Sequence, residues 1–204
     1  MKVLAVNGSP HRDGCTAAAI RLVAEELEKQ GIDVETVHVG KELLHGCTAC
    51  GSCRKTGKCI FDDVVNECIE KSKSADGIIL GSPVYYSGIA GTMKSFLDRF
   101  FYAGPHLDYK VGTSVVSARR AGVVDTFHQI NNYLNLGNVI QVPSQYWNAV
   151  HGSSAREVMQ DEEGVQVMRM LGRNMAWLMK VVESGRNAVA PPEQEERIYT
   201  NFIR

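Results

Sequence analysis

Apolar runs and helical stripes alternate along this chain. Lys2–Asn7 (KVLAVN) is a short run of the buried-strand type. Thr16–Gln30 follows with apolar residues at Ile20, Val23, Ala24 and Leu27, the spacing of one helix face, and Gly31 closes it. Asp33–Val39 predicts a second strand. Asp62–Lys73 predicts a second helix, its two leading aspartates suited to the positive end of the helix dipole. Gly77–Gly81 with Ser82 reads as the third strand, Ala90–Tyr102 as the third helix, Val111–Ser117 as the fourth strand and Val123–Leu136 as the fourth helix. Val139–Val142 is a fifth strand, and Glu163–Glu183 a long last helix with Val165, Met168, Leu171, Met175, Leu178 and Val182 on one face. Strict alternation predicts an α/β fold. It would be a doubly wound five-stranded parallel sheet of order 2-1-3-4-5, with helices on both faces. Ligands of such sheets sit outside the carboxyl ends of the strands.

One segment breaks the alternation. Where a crossover helix should follow the second strand, residues 46–60 carry Cys47, Cys50, Cys53 and Cys59, spaced C-x2-C-x2-C-x5-C. Four thiols this close can all reach one metal centre, and one loop must wrap it. The spacing is compact, as in iron–sulfur sites. Most structural zinc sites instead set two C-x2-C halves well apart. A cluster, bare or oxidised thiols, and zinc all remain open from the spacing. Cys68 falls on an amphipathic helix and reads as a packed core thiol. His45 beside the loop is either a hydrogen-bond donor behind a metal ligand or a surface histidine.

Three strand-end loops converge in the expected fold. Asn7–Thr16 (NGSPHRDGCT) runs straight into a helix and reads either as an anion site of backbone N–H groups and hydroxyls or as an ordinary turn. It has neither the Lys-Ser/Thr pair of a P-loop nor a G-x-G-x-x-G, so a monophosphate fits best. Ser82–Gly88 (SPVYYSG) sets a proline and two tyrosines where they can cover a flat ring, or simply pack on neighbours. Gly88 and Gly91 allow close backbone approach. Ser117–Gly122 (SARRAG) offers adjacent arginines, which serve an anionic ligand or face solvent. A phosphate loop and an aromatic platform on one rim fit flavin mononucleotide (FMN) at the switch point of the sheet.

Bulk properties narrow the class. The 204 residues fit one domain, and 44% apolar with 22% charged residues is ordinary for a globular protein. A net charge of −1 gives no electrostatic case for nucleic acid or an anionic membrane. No apolar run is long enough to span a bilayer, and the N-terminus reaches glycine, proline and charge too early for a signal peptide. The expected location is cytoplasmic, where six cysteines favour metal or redox chemistry over disulfides. Residues 1–187 read as the domain, and 188–204, with its APPEQEE run, as a C-terminal extension.

GSPHRDGCTA together with GSPVYYSGIAGTMKSFLDR resembles the flavodoxin-like NAD(P)H-dependent FMN reductases, and SARRAG and QYWNAVHG match stretches of the same group. The cysteine loop resembles that of their iron–sulfur flavoprotein branch. The resemblance runs from Met1 to roughly Glu183. It implies a flavodoxin-like fold, bound FMN, a [4Fe-4S] cluster on Cys47, Cys50, Cys53 and Cys59, and a homodimer or homotetramer. It places the FMN phosphate on Ser9, Gly14, Cys15, Thr16 and Ala17, although the family often has Asn where this chain has Cys15. Pro83, Val84, Tyr85, Tyr86, Ser87 and Gly88 would hold one edge of the ring. Ser117, Arg119, Arg120 and Gly122 would approach the other. Tyr146, Trp147 and Asn148 would shape the substrate side or a subunit contact.

The implied activity is an FMN-dependent oxidoreductase. Its donor would be NAD(P)H, or a ferredoxin-like redox protein if the cluster is present. It would pass electrons to a small-molecule acceptor, and no protein acid or base is required. The alternative is a flavodoxin-like electron carrier without turnover of its own, for which a net charge of −1 supplies little steering. A binding module without turnover is a third reading, which the fold by itself leaves open.

Overall fold

Strands β1 (Lys2–Asn7) and β3 (Gly77–Tyr85) form the centre of the sheet in the computed structural model, which describes residues 1–104, 107–196, 198–200 and 202. They pair in parallel, Val3 opposite Gly77 through Asn7 opposite Gly81. Strand β2 (Asp33–His38) flanks β1, and β5 (Val111–Ala118) flanks β3, both in parallel. Helix α1 (Cys15–Glu28) joins the first two strands. Helix α2 (Cys53–Thr56) is a single turn inside the cysteine loop, and α3 (Val64–Ser74) leads into β3. Helix α4 (Gly91–Ala103) precedes β5 and α5 (Val123–Leu136) follows it.

Two features depart from expectation, one of them at the outer edge. The fifth position is shared by two short strands, β6 (Ile140–Gln141) on the start of β5 and β7 (Ala149–His151) on its end. Pro143 explains the break, because it has no N–H to continue the ladder. The chain swings out and returns on Asn148, whose buried amide donates to Thr113 Oγ1 at 3.1 Å. The second departure is β4 (Gly88–Ile89), which folds back antiparallel on the end of β3. The sheet therefore has seven strands, with main order β2-β1-β3-β5-β6, rather than five. After a single turn, α6 (Ala155–Val158), helix α7 (Glu162–Gly185) crosses α1 and ends the folded body.

Alternation along the strands sends side chains to opposite faces. Val3 and Ala5 join the layer under α1 and α7, while Leu4 and Val6 join the layer under α3, α4 and α5. Gly172 sets the α1–α7 crossing, since a Cβ there would lie 2.7 Å from the Val23 carbonyl oxygen. Cys68 is fully buried in the second layer, and burial pushes its thiol up to about 12. That agrees with a core thiol. Among the described residues, no helix is long and apolar enough to cross a membrane.

Lys110 closes the C-terminal end of α3. Its ammonium donates to the carbonyl oxygens of Ser72 (2.6 Å), Lys73 (3.1 Å) and Ala75 (2.6 Å), groups left over at a helix end. Lys110→Met is expected to cost about 1–3 kcal/mol. A lowered urea midpoint at unchanged slope is the expected observation. An unmoved midpoint would show that water replaces the lysine.

Candidate functional site

The ends of β1, β3, β5 and β7 surround a cleft of about 660 Å³, within the range of small-ligand sites. Ser9, Gly14 and Cys15 supply one wall, Pro83, Val84 and Tyr85 a second, Ser117 and Arg119 a third. Eight of the expected contacts thus converge on one space.

The first wall is shaped by hydrogen bonds internal to its loop. Asn7 Oδ1 accepts from the Ser9 N–H at 3.0 Å, and Ser9 Oγ accepts from the His11 N–H at 3.2 Å. Beyond it α1 begins at Gly14 with no side-chain cap and no acidic residue in its first turn. Gly14 and Cys15, at this positive end of the helix dipole, line the cleft, and among the described residues no side chain caps the helix there. Cys15 Sγ donates to the Gly152 carbonyl on the facing side of the cleft at 3.3 Å, and burial raises its thiol.

Thr16 is fully buried, and its hydroxyl pairs with Ser117 Oγ at 2.8 Å, which ties the first loop to the third. Ala17 lies outside the cleft lining, half-buried on α1. Tyr86 and Ser87 form the two-residue turn between β3 and β4, both at positive φ (50° and 57°). This is the twist that tight hairpins require, but glycine or asparagine usually supplies it. The strain is held from below. Gln129 Oε1 accepts from the Ile89 N–H at 3.2 Å, and a Cβ on Gly122 would stand 2.9 Å from Ser87 Cα. Gly122, at φ 85°, is thus a spacer between the second and third loops. Tyr86 is fully exposed at the rim, and Arg120 faces solvent.

The structure adds groups that the motifs did not name. Lys41, just past β2, joins the cleft beside His11 and Arg12. Gly152, Ser153, Ser154 and Ala155 close its far side. Lys41 follows a strand end, so position alone pointed to it. The 152–155 segment reaches the rim only because β7 exists, and a three-residue strand carries almost no periodic signal.

The cysteine loop packs against the C-terminal half of α4. Cys47, Cys50, Cys53 and Cys59 line one small cavity of about 20 Å³, walled by Phe61, Arg99 and Tyr102. No His, Asp or Glu joins them there, so the donor set is all thiol. Among the described residues, no three such side chains already stand at ligand geometry around one point. The thiols nevertheless feel one another. Burial raises the Cys53 thiol, and Cys50, Cys59 and Cys47 push it in the same direction. Left-handed backbone at Ala49, Gly51 and Gly57 curls the loop around the cavity.

Cys59 is the most firmly held ligand candidate. Asn66 Oδ1 accepts from its N–H at 2.8 Å, and Asn66 Nδ2 donates to its carbonyl at 3.0 Å. Asp63 caps α3 through the Val65 N–H and takes both terminal nitrogens of Arg99, at 2.7 and 2.9 Å. His45 is exposed, and its ring stacks on Phe61 with centroids 4.8 Å apart.

Comparison with known proteins identifies the family and the fold. The family described as NADPH-dependent FMN reductase matches residues 1–154. This chain belongs to that family. It is 32% identical over 192 residues to an iron-sulfur flavoprotein of Methanocaldococcus jannaschii, covering 90% of this chain and all of that one. An iron-sulfur flavoprotein of Methanosarcina thermophila is 27% identical over 193 residues, 92% of this chain and all of the relative. The family member therefore falls in the iron–sulfur flavoprotein branch. Among solved structures, RosB with bound 8-demethyl-8-formylriboflavin-5'-phosphate superposes with a TM-score of 0.70 at 16% identity, over 100% of this chain and 94% of RosB. A flavodoxin from the domain Archaea gives 0.62 at 16% identity, over 88% and 99%. At that identity the likeness establishes the flavodoxin-like fold.

Proposed function

We propose that this FMN-dependent oxidoreductase binds FMN in the 660 Å³ cleft, holds a [4Fe-4S] cluster on Cys47, Cys50, Cys53 and Cys59, and takes electrons from NAD(P)H or a ferredoxin-like protein. The observation that carries the reading is the uncapped N-terminus of α1 opening into a cleft whose other walls are Tyr85 and Ser117 with Arg119. Anion site and aromatic wall belong to one space. When bound, FMN supplies hydride and single-electron chemistry, and the cluster supplies single-electron chemistry.

The chain's own residues bind and orient. The first-turn N–H groups of α1, with Ser9, take the phosphate. Lys41 and Arg12 add positive charge beside it. Pro83, Val84 and Tyr85 take one side of the ring, and Arg119 places a cation where negative charge on the ring would be stabilised. Tyr86 is exposed beside the cleft and Tyr146 and Trp147 are exposed just before β7, apolar surface that favours a second copy of this chain as its cover, in a homodimer or homotetramer.

The deciding experiment is anaerobic purification followed by FMN, iron, acid-labile sulfide and zinc analysis per chain, with NAD(P)H oxidation in the presence of an acceptor. FMN with about four irons and four sulfides is expected. FMN alone after attempted reconstitution would refute the cluster. Bound FMN without NAD(P)H turnover would move the donor to a redox protein.

A further inference from the structure

Arg99 is the largest fully buried side chain of the protein. An arginine in that position must spend all five of its N–H donors, and it does. One terminal nitrogen donates to Asp63 Oδ2 (2.7 Å) and the His45 carbonyl (3.4 Å). The other donates to Asp63 Oδ1 (2.9 Å) and the Phe61 carbonyl (3.1 Å). Nε donates to Cys59 Sγ at 3.2 Å. The Phe61 ring lies against the guanidinium, 5.1 Å from ring centre to Cζ. These contacts join both flanks of the cysteine loop, residue 45 before it and residues 59–63 after it, to one helix.

We infer that Arg99 is a positioning residue for the cluster site, which orients the sulfur of Cys59 and raises the reduction potential of a cluster bound there; the inference rests on the cluster reading above. A tie for the loop alone would not need the bond to sulfur, because Asn66 already fixes the Cys59 backbone and Asp63 already anchors the guanidinium. The Nε–H reaches the sulfur itself. A cation and an N–H donor at a ligand sulfur favour the more negative, reduced cluster. Helix α4 extends the effect toward the flavin. Met93 lies under the first loop, where a Cβ on Gly8 would come within 2.6 Å of it. Arg99 is six residues farther along α4, about 9 Å of rise. One rigid helix thus braces the phosphate loop at one turn and the thiol cavity at another.

The test uses the full chain, reconstituted with iron and sulfide, in four forms: wild type, Arg99→Lys, Arg99→Gln and Asp63→Asn. Hydrogen exchange of residues 45–63 and the cluster midpoint potential are both measured. Arg99→Gln removes charge and fork. Its loop is expected to exchange at least tenfold faster, and its cluster to be at least tenfold harder to reduce, about 59 mV lower for one electron. Arg99→Lys keeps charge without the fork and falls between. Asp63→Asn keeps a helix cap and the bond to sulfur but removes the carboxylate that balances the guanidinium, so its potential is expected to rise. Two shifts of opposite sign cannot come from general loosening. Equal potentials in all four forms, or a fall in Asp63→Asn, overturn the inference while leaving the cluster reading intact. A wild-type chain that takes up no iron and sulfide overturns both.

Discussion

Cys59→Ser is expected to leave the protein with its flavin and without its cluster. Iron and sulfide should fall from about four each to under about one per chain, with FMN at the wild-type ratio. Among the described residues the lining holds no carboxylate or imidazole to take the place of Cys59, and Cys68 is fully buried in the core layer, outside that lining. The fold should persist, because Asn66 holds the backbone of residue 59 rather than its side chain, and a serine hydroxyl can still accept from Arg99. Iron, sulfide and FMN analysis of the variant decides it. Full loading would mean that Cys59 is not a ligand.

Gly40→Ala should strike the other cofactor. A Cβ at Gly40 would stand 1.9 Å from the Ser9 carbonyl oxygen and 2.2 Å from its carbon. That carbonyl has little freedom, since His38 Nε2 donates to it at 2.6 Å and the Ser9 N–H is held by Asn7. The phosphate loop must move as a unit. Overpacking against backbone costs about 1–3 kcal/mol, and the FMN dissociation constant should rise roughly tenfold to a hundredfold. Titrating FMN into the apoprotein measures it. Gly91→Ala, where nothing lies within 4 Å of the new methyl, is the control expected to bind normally. Equal affinities for the two variants would show that the loop yields freely.

The parallel core of the sheet was legible because β1 and β3 are apolar runs set between amphipathic helices, while β2 was placed by its position after the first helix. Each of the main helices was placed to within about two residues at its ends, the usual latitude of element boundaries. The rim was harder. Thr16 was read toward the phosphate and Ser117 toward the ring, and only the three-dimensional fold shows their hydroxyls bonded to each other. Gly122 was read as a ligand contact, and the fold shows that it also spaces the second and third loops, a role that depends on a residue 35 positions away. The strand pair β6 and β7 was missed as a pair because two- and three-residue strands have no period to read, and Pro143 marks the break only once the ladder is seen. Arg99 sits in the quoted MKSFLDR stretch but was given no role. Its helix stripe is Met93, Phe96, Leu97 and Phe100, and nothing in that pattern says that the arginine beside them points inward.

The split outer edge also limits how copies of this chain can associate. An edge strand invites a neighbour when it offers a long, regular row of unpaired N–H and carbonyl groups. Here one edge is broken into pieces of two and three residues separated by a proline-led detour. The opposite edge, β2, presents Asp33, Glu35 and Thr36 outward. Neither side offers a template for continuing the sheet from one molecule to the next. A second copy of this chain would therefore meet it through helix faces and the loops around the cleft rather than by extending the sheet.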